Sequence, residues 1–351
     1  MTACKYRALL VPDVGPPRSR PWAWYYRCDD MRRFAPPEIA VDVLCHDDFT
    51  ARYRDRPGDL AAYDGVLSMS WTMSPLDILR HARRSVCLVT CGGILFERRR
   101  PADWRSLVVT ASRNAPRARE RLPRFSGCVA VNREVYQAAK AINPGTVLIP
   151  SGVNTDFWCF KPPNPARGRF VVGWCGQRRA NMKGREEILG PLMARLSGPE
   201  WQWRVNDRNF DEALTREEMR DWYHGLDVLV STSVCEGTPS GPFEAASCGR
   251  PFLSTDVGVV ADWQAAHALG LVAPAYRNRP EADATVAWFA RRLEELRADP
   301  RLPTYGAIIR ESVEASYSYD RAGIARRYLE FTVQRGPAQQ VGNLPPSAGC
   351  A

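Results

Sequence analysis

The sequence predicts an α/β protein built from two doubly wound units in tandem. Three observations carry that expectation. Short apolar runs alternate with helix-period stretches through both halves. A Pro- and Gly-rich break, KPPNPARG (161–168), separates the two series. A chain of 351 residues is also longer than one hydrophobic core comfortably serves. Open parallel sheets bind ligands beyond the carboxyl ends of their strands, so tandem units imply a cleft between two such ends. The expected domains are 1–155, 156–315, a helix at 316–335 that crosses back to the first domain, and a disordered tail at 336–351.

The first half opens with YRALLVPD (6–13), a buried strand ending in a Gly/Pro loop, followed by the helix-spaced WAWYYRCDDMRRF (22–34). VDVLCHD (41–47), YDGVLSMS (63–70), SVCLVTCG (85–92), SLVVTAS (106–112) and FSGCVAV (125–131) read as further strands. NREVYQAAKAI (132–142) reads as a helix, and TVLIPSGVN (146–154) closes this half. The second half starts with the strand RFVVGWCG (169–176), then REEILGPLMARL (185–196) as a helix and WQWRVND (201–207) as a strand. TREEMRDWYHGL (215–226) predicts a helix with Thr215 as N-cap and Glu218 completing a capping box. LDVLVSTS (226–233), GPFEAASCG (241–249) and RPFLST (250–255) read as strand, helix, strand, and 284–299 and 320–335 as late helices.

Several classes are excluded. No window approaches the roughly 18 consecutive apolar residues of a membrane span. The start lacks a signal-peptide pattern, and the eleven cysteines include no CxxC pair, which points to reduced thiols in a cytoplasmic protein. The net charge of +9 is unevenly placed. Residues 1–150 hold 24 Lys+Arg against 15 Asp+Glu, whereas 151–351 hold 24 against 24. Nine arginines crowd 98–124 against Asp103 and Glu120. A bias toward arginine in the coding sequence accounts for 44 arginines beside four lysines, but not for the confinement of the excess to one half. An anionic partner for the first half follows.

The stretch EGTPSGPFE (236–244) carries the chemistry. Pro242 suits the first helical position with Gly241 as N-cap, which puts Glu244 at the third. Backbone N–H groups at a helix start suit a phosphate, and glycines allow close approach. Carboxylates at either end can each accept bonds from vicinal hydroxyls. A nucleotide sugar offers diol, diphosphate and diol. Taken alone, the same spacing fits a Glu244 that caps its helix and a Glu236 in solvent.

The run DVLVSTSVCEGTPSGPFEAASCGRPFLSTDVG (227–258) resembles the signature of family 4 glycosyltransferases, retaining enzymes of the GT-B fold with two Rossmann-like domains and an interdomain cleft. IPSGVNTDFW (149–158) is similar to their domain junction, and VVGWCGQRRANMKG (171–184) to their strand and G-R…K-G loop. The resemblance implies that Lys183 contacts the diphosphate, Glu236 the transferred sugar and Glu244 the ribose. Gly237, Thr238, Pro239 and Ser240 would line the sugar and β-phosphate, with Gly176 and Gly15 in the two glycine loops. Gln177 follows Gly176 where the family has arginine, so Arg178 or its neighbour Arg179 would supply that charge. No metal or cofactor is implied beyond the nucleoside-diphosphate sugar, a UDP-sugar being favoured, since cations and N–H groups stabilise the leaving diphosphate. The departing phosphate would take the acceptor's proton. His46 and His81 are candidates for a first-domain histidine, and Cys87, Cys91 and Cys175 read as core packing.

In such proteins the first domain takes the acceptor. Arg98, Arg99 and Arg100, with Trp22 and Trp24 of RPWAWYYR, are the acceptor candidates, the rings either stacking a base or packing in the core. DNA carrying a hydroxymethylated, flipped base is favoured over a lipid or envelope glycan at an acidic membrane, because Pro116 and Pro123 interrupt any basic amphipathic helix, and a small molecule or protein ranks third. A non-catalytic nucleic-acid-binding protein on this scaffold and a nucleotide-sugar epimerase are the alternatives.

Overall fold

The computed structural model describes residues 4–13, 23–90, 97–99, 108–110, 115–162, 168–176, 183–207, 214–276 and 278–334. The chain divides into two compact units, one of residues 1–89, 116–149 and 323–351, the other of residues 90–115 and 150–322.

The first unit is a six-stranded, wholly parallel sheet in the order β2-β1-β3-β4-β7-β8. Its elements are β1 (Tyr6–Val11), α1 (Ala23–Arg33), β2 (Ile39–Val43), α2 (His46–Tyr53), β3 (Gly65–Ser68), α3 (Leu76–Leu79) and β4 (Ser85–Val89). Between β4 and β7, β5 (Glu97–Arg99) and β6 (Val108–Thr110) pair with each other, and α4 (Ala115–Arg121) follows. Then come β7 (Gly127–Ala130), α5 (Arg133–Lys140) and β8 (Thr146–Leu148). Every residue of β3, β4 and β7 is buried, as expected of parallel strands covered on both faces by helices.

The run at 106–112 does not enter this sheet. β4 pairs directly with β7 (Val86↔Gly127), so no place is open for it. β6 forms an antiparallel pair with β5, Glu97 opposite Thr110. The arginine-rich stretch after it is helical. Pro116 begins α4 rather than breaking it, because the first helical N–H groups have no partner to lose.

The second unit is a five-stranded parallel sheet, β10-β9-β11-β12-β13. β9 (Phe170–Cys175) leads through a π-helical turn, Arg185–Leu189, into α6 (Gly190–Arg195) and β10 (Trp201–Asn206). α7 (Arg216–His224), β11 (Val228–Ser231), α8 (Ser240–Ser247) and β12 (Phe252–Thr255) follow. α9 (Gln264–Ala268), β13 (Val272–Ala273), α10 (Arg279–Ala298) and α11 (Leu302–Tyr317) complete it. The capping box on α7 is present in both halves: Glu218 N–H donates to Thr215 Oγ1 at 3.1 Å, and Thr215 N–H to Glu218 Oε2 at 2.7 Å. An aromatic cluster anchors the core, with Trp263 within 5.0 Å of Phe243, 5.1 Å of Phe252 and 5.3 Å of Tyr317, centroid to centroid.

The final helix, α12 (Ile324–Val333), packs on β1 and β3 of the first unit. Tyr328 Oη donates to the Ile149 carbonyl at 3.1 Å, and Arg84 Nε to the Phe331 carbonyl at 3.1 Å. The tail at 336–351 lies outside the described residues.

Candidate functional site

The strand order of the second unit reverses between β9 and β11, with β10 beyond one and β12 beyond the other. At such a switch point the loops leave in opposite directions and open a crevice. Lys183 follows β9 and Glu236 follows β11. Their side chains meet there: Lys183 Nζ lies 2.5 Å from Glu236 Oε1, the lysine side chain 31% exposed and the glutamate 13%. Ser233 Oγ donates to the same Oε1 at 2.6 Å. Thr255 Oγ1, from the end of β12, in turn donates to the Ser233 carbonyl at 2.5 Å. The carboxylate is thus positioned by the ends of three adjacent strands.

The lysine loop is anchored as firmly. Thr232 Oγ1 donates to the Lys183 carbonyl at 2.6 Å and accepts from Trp174 Nε1 at 2.9 Å. Tyr276 Oη donates to the Thr232 carbonyl at 2.9 Å. Gly184 has φ +64°, and a Cβ there would stand 2.0 Å from the Thr232 carbonyl oxygen. Only glycine passes this point, so the Lys-Gly pair is a steric requirement as well as a chemical one. Gly258 (φ +62°) does the same for the other loop, since a Cβ would lie 2.5 Å from the Gly237 carbonyl.

α8 begins at Ser240 with Pro239 as N-cap, so Pro242 is its third residue and Glu244 its fifth. The expected start at Gly241–Pro242 is therefore corrected by two positions. A proline at the third position costs nothing, because its missing N–H belongs to the unpaired first turn. Glu244 does not cap the helix. It is half-buried, and Tyr223 Oη donates to its Oε2 at 2.9 Å. Tyr223 also meets Cys175 Sγ at 3.8 Å. Burial pushes both groups up, the Cys175 thiol to about 12 and the Tyr223 phenol well above its usual range, so both stay protonated. Thr238 is buried and accepts from the Ser151 N–H at 3.2 Å. Gly237 and Pro239 are buried beside it, Ser240 is half-buried at the start of α8, and Gly176 follows Cys175 at the end of β9. Next to this end of the sheet, a cavity of about 370 Å³ is lined by Arg204, Asn206, Leu214, Glu218, Asp221 and Trp222.

Among the remaining site expectations, Gly15, Trp22, Arg100, Arg178 and Arg179 lie outside the described residues. Arg98 and Arg99 fall in β5, within the stretch grouped with the second unit. Trp24 is half-buried on α1 with the Arg27 guanidinium 4.5 Å over its ring. Cys87 is buried opposite Cys128 in the sheet of the first unit, as packing requires. His81 is exposed beside Arg80, whereas His46 opens α2 at the carboxyl end of β2. Sequence reasoning missed Thr232, Ser233 and Tyr223 as the residues that hold the site. The STS closing strand β11 was the available signal for the first two.

Residues 198–299 match the family model described as Glycosyl transferases group 1. That match lies wholly within the second unit. A D-inositol 3-phosphate glycosyltransferase of Streptomyces bingchenggensis (strain BCW-1) is 29% identical over 233 residues, 64% of this chain and 44% of that protein. The chain thus spans less than half the length of that relative. Among solved structures, a sucrose-phosphate synthase of Thermosynechococcus elongatus aligns with TM-score 0.65 at 16% identity, covering 92% of this chain and 97% of that one. Anabaena HepE in complex with UDP-glucose aligns with TM-score 0.61 at 14% identity, covering 93% and 98%. Both units therefore match the parallel-sheet α/β domains of GT-B glycosyltransferase structures.

Proposed function

We propose that the protein is a retaining glycosyltransferase that moves a sugar from a UDP-sugar to a hydroxyl of an anionic acceptor, without a metal ion. The Lys183–Glu236 pair at the β9/β11 switch point, inside the unit with the group 1 segment, carries this reading. Breaking the sugar–phosphate bond builds negative charge on the diphosphate and positive charge at the anomeric carbon. Lys183, together with the positive end of α8, answers the first, and Arg178 adds a second cation. Glu236 takes hydroxyls of the transferred sugar, and Glu244, steadied by Tyr223, takes those of the ribose. The cavity beside β10 is large enough for the nucleobase. The name of the HepE complex supports UDP-glucose as the first donor to test.

The acceptor is argued from charge. The first unit holds 22 Lys+Arg against 14 Asp+Glu, and the second 26 against 25, so the excess stays with the first unit even with Arg98, Arg99 and Arg100 assigned elsewhere. DNA with a hydroxymethylated base suits that charge. A phosphorylated polyol suits it equally and is the acceptor class in the name of the Streptomyces relative. No helix among the described residues is long and apolar enough to cross a membrane.

A thermal-shift panel of UDP-, GDP- and ADP-sugars tests the donor. One nucleotide sugar should stabilise the protein by about 2.7 kcal/mol at a hundredfold excess over Kd. No shift with any of them sinks the reading. Mass spectrometry of D-inositol 3-phosphate and of digested 5-hydroxymethylcytosine DNA, each incubated with the donor found, then separates the two acceptors.

A further inference from the structure

The first unit has its own switch point, between β1 and β3, and it carries a second polar constellation. Asp13 leaves the carboxyl end of β1 there. The His46 N–H donates to the Pro12 carbonyl at 3.0 Å, and the Met69 N–H to the Val11 carbonyl at 2.9 Å. These bonds seat the start of α2 on one side of Asp13 and the turn at 69–74 on the other.

That turn is rigid and rich in hydroxyls. Ser68 Oγ and Ser74 Oγ share a buried bond of 2.7 Å, and Ser70 Oγ and Thr72 Oγ1 one of 2.9 Å. Arg121 Nε donates to the Trp71 carbonyl at 3.0 Å, and Arg117 to the Thr72 carbonyl at 3.1 Å, so arginines of α4 brace the turn from behind. The Ser70 hydroxyl favours the ionised form of the Asp13 carboxyl. The His46 ring is held by the Met73 carbonyl at Nε2, 3.1 Å, and by Asp47 at Nδ1, 3.3 Å. Met73, at the lip of this arrangement, is 55% exposed.

The groups that act electrostatically on Asp13 are Cys28 on α1, His46 on α2 and Ser70 in the turn. Burial pushes the Asp13 carboxyl up to about 6, against the opposing pull of His46 and Ser70. Burial also keeps the Cys28 thiol neutral. Holding a desolvated carboxylate at neutral pH costs folding stability, so the fold alone gives no reason for it.

We propose that Asp13, with Ser70 and Thr72 beside it, binds the alcohol that receives the sugar, the carboxylate accepting the acceptor O–H and fixing its oxygen. This rests on the glycosyl-transfer reading above. In the step itself, the anomeric carbon's bond to the diphosphate oxygen breaks and its bond to the alcohol oxygen forms. Asp13 takes the alcohol's proton as that bond forms and releases it to water, the diphosphate leaving as the anion, so Asp13 ends the cycle unchanged. Its ionised form is the one that binds.

The test uses the full chain, UDP-glucose and D-inositol 3-phosphate. In the unaltered protein, kcat/KM for the acceptor should rise as pH passes through about 6. Asp13→Asn should lose about tenfold or more at pH 8 and flatten that profile, with KM for UDP-glucose unchanged. Ser70→Ala should lose a few-fold. Where D-inositol 3-phosphate is not consumed, the same variants are compared on hydrolysis of UDP-glucose, in which water replaces the alcohol. Equal rates and an unmoved pH profile in Asp13→Asn overturn the proposal, as does a fall in its Tm at pH 8, which would mark a purely structural carboxyl. A UDP-glucose thermal shift missing from the unaltered protein would instead count against the donor reading.

Discussion

The two sheets offer the same geometric place, a switch point at the carboxyl ends of parallel strands, and equip it differently. In the second unit a carboxylate is paired with a lysine at 2.5 Å and braced by a serine. In the first, a carboxyl sits beside hydroxyls and an imidazole, and burial dominates its chemistry. Topology supplies the crevice in both cases, and side chains decide what enters it. A cation at the crevice suits a leaving diphosphate. A desolvated carboxyl suits an uncharged O–H donor.

Breaking the second unit's pair should give the largest effect. Lys183→Ala and Glu236→Ala are each expected to lower kcat by about 10²–10³, the scale of losing one preorganised electrostatic group. Lys183→Arg should not restore it, because a planar fork does not replace a compact ammonium. Single-turnover rates with UDP-glucose check this, and full activity in either alanine variant would refute the assigned roles.

Gly184→Ala comes next. It places a Cβ against the Thr232 carbonyl at a left-handed backbone position, and a loss of about 2–4 kcal/mol is expected from the strain and the displaced loop. Urea denaturation measures it. An unchanged midpoint would show that the loop can shift freely.

Tyr223→Phe should be milder. It removes the hydroxyl that holds Glu244, and KM for the donor should rise about 5–10-fold with kcat nearly constant. A fall in kcat without a change in KM would place Glu244 in the chemical step instead.

A comparable effect concerns stability in the first unit. The carboxyl of Asp13 is raised when folded, so its protonated form stabilises the fold fully below about pH 4, and that contribution is lost as pH rises through about 6. Asp13→Asn should therefore raise stability at pH 8 by about 1–2 kcal/mol and change little at pH 4. Melting curves at the two pH values decide it.

Much of the fold was legible because the strands are apolar runs buried on both faces, and such runs read plainly. The loop EGTPSGPFE was legible through its glycines and its place after an apolar strand. The start of α8 was not, because Pro242 is equally acceptable at the first and third helical positions. The partner of Glu244 was hidden for another reason: Tyr223 lies twenty-one residues earlier on a different helix, and no local pattern encodes that meeting. Likewise, Arg117 and Arg121 read as free positive charge, although their guanidinium groups donate to carbonyls of a turn some forty-five residues away. α11 escaped because Gly306 and the β-branched pair Ile308 and Ile309 lower its helix propensity.

The placement of α12 bears on the order in which the protein can be made. The helix that covers β1 and β3 leaves the ribosome only after all of residues 150–322. At roughly 5–20 residues per second, the face it covers waits on the order of 10–35 s for it. During that interval the apolar faces of β1 and β3 that it covers stay open. A chain ended after Ala322 should stay in that state and collect in the insoluble fraction, while synthesis of the missing helix as a separate peptide should rescue part of it.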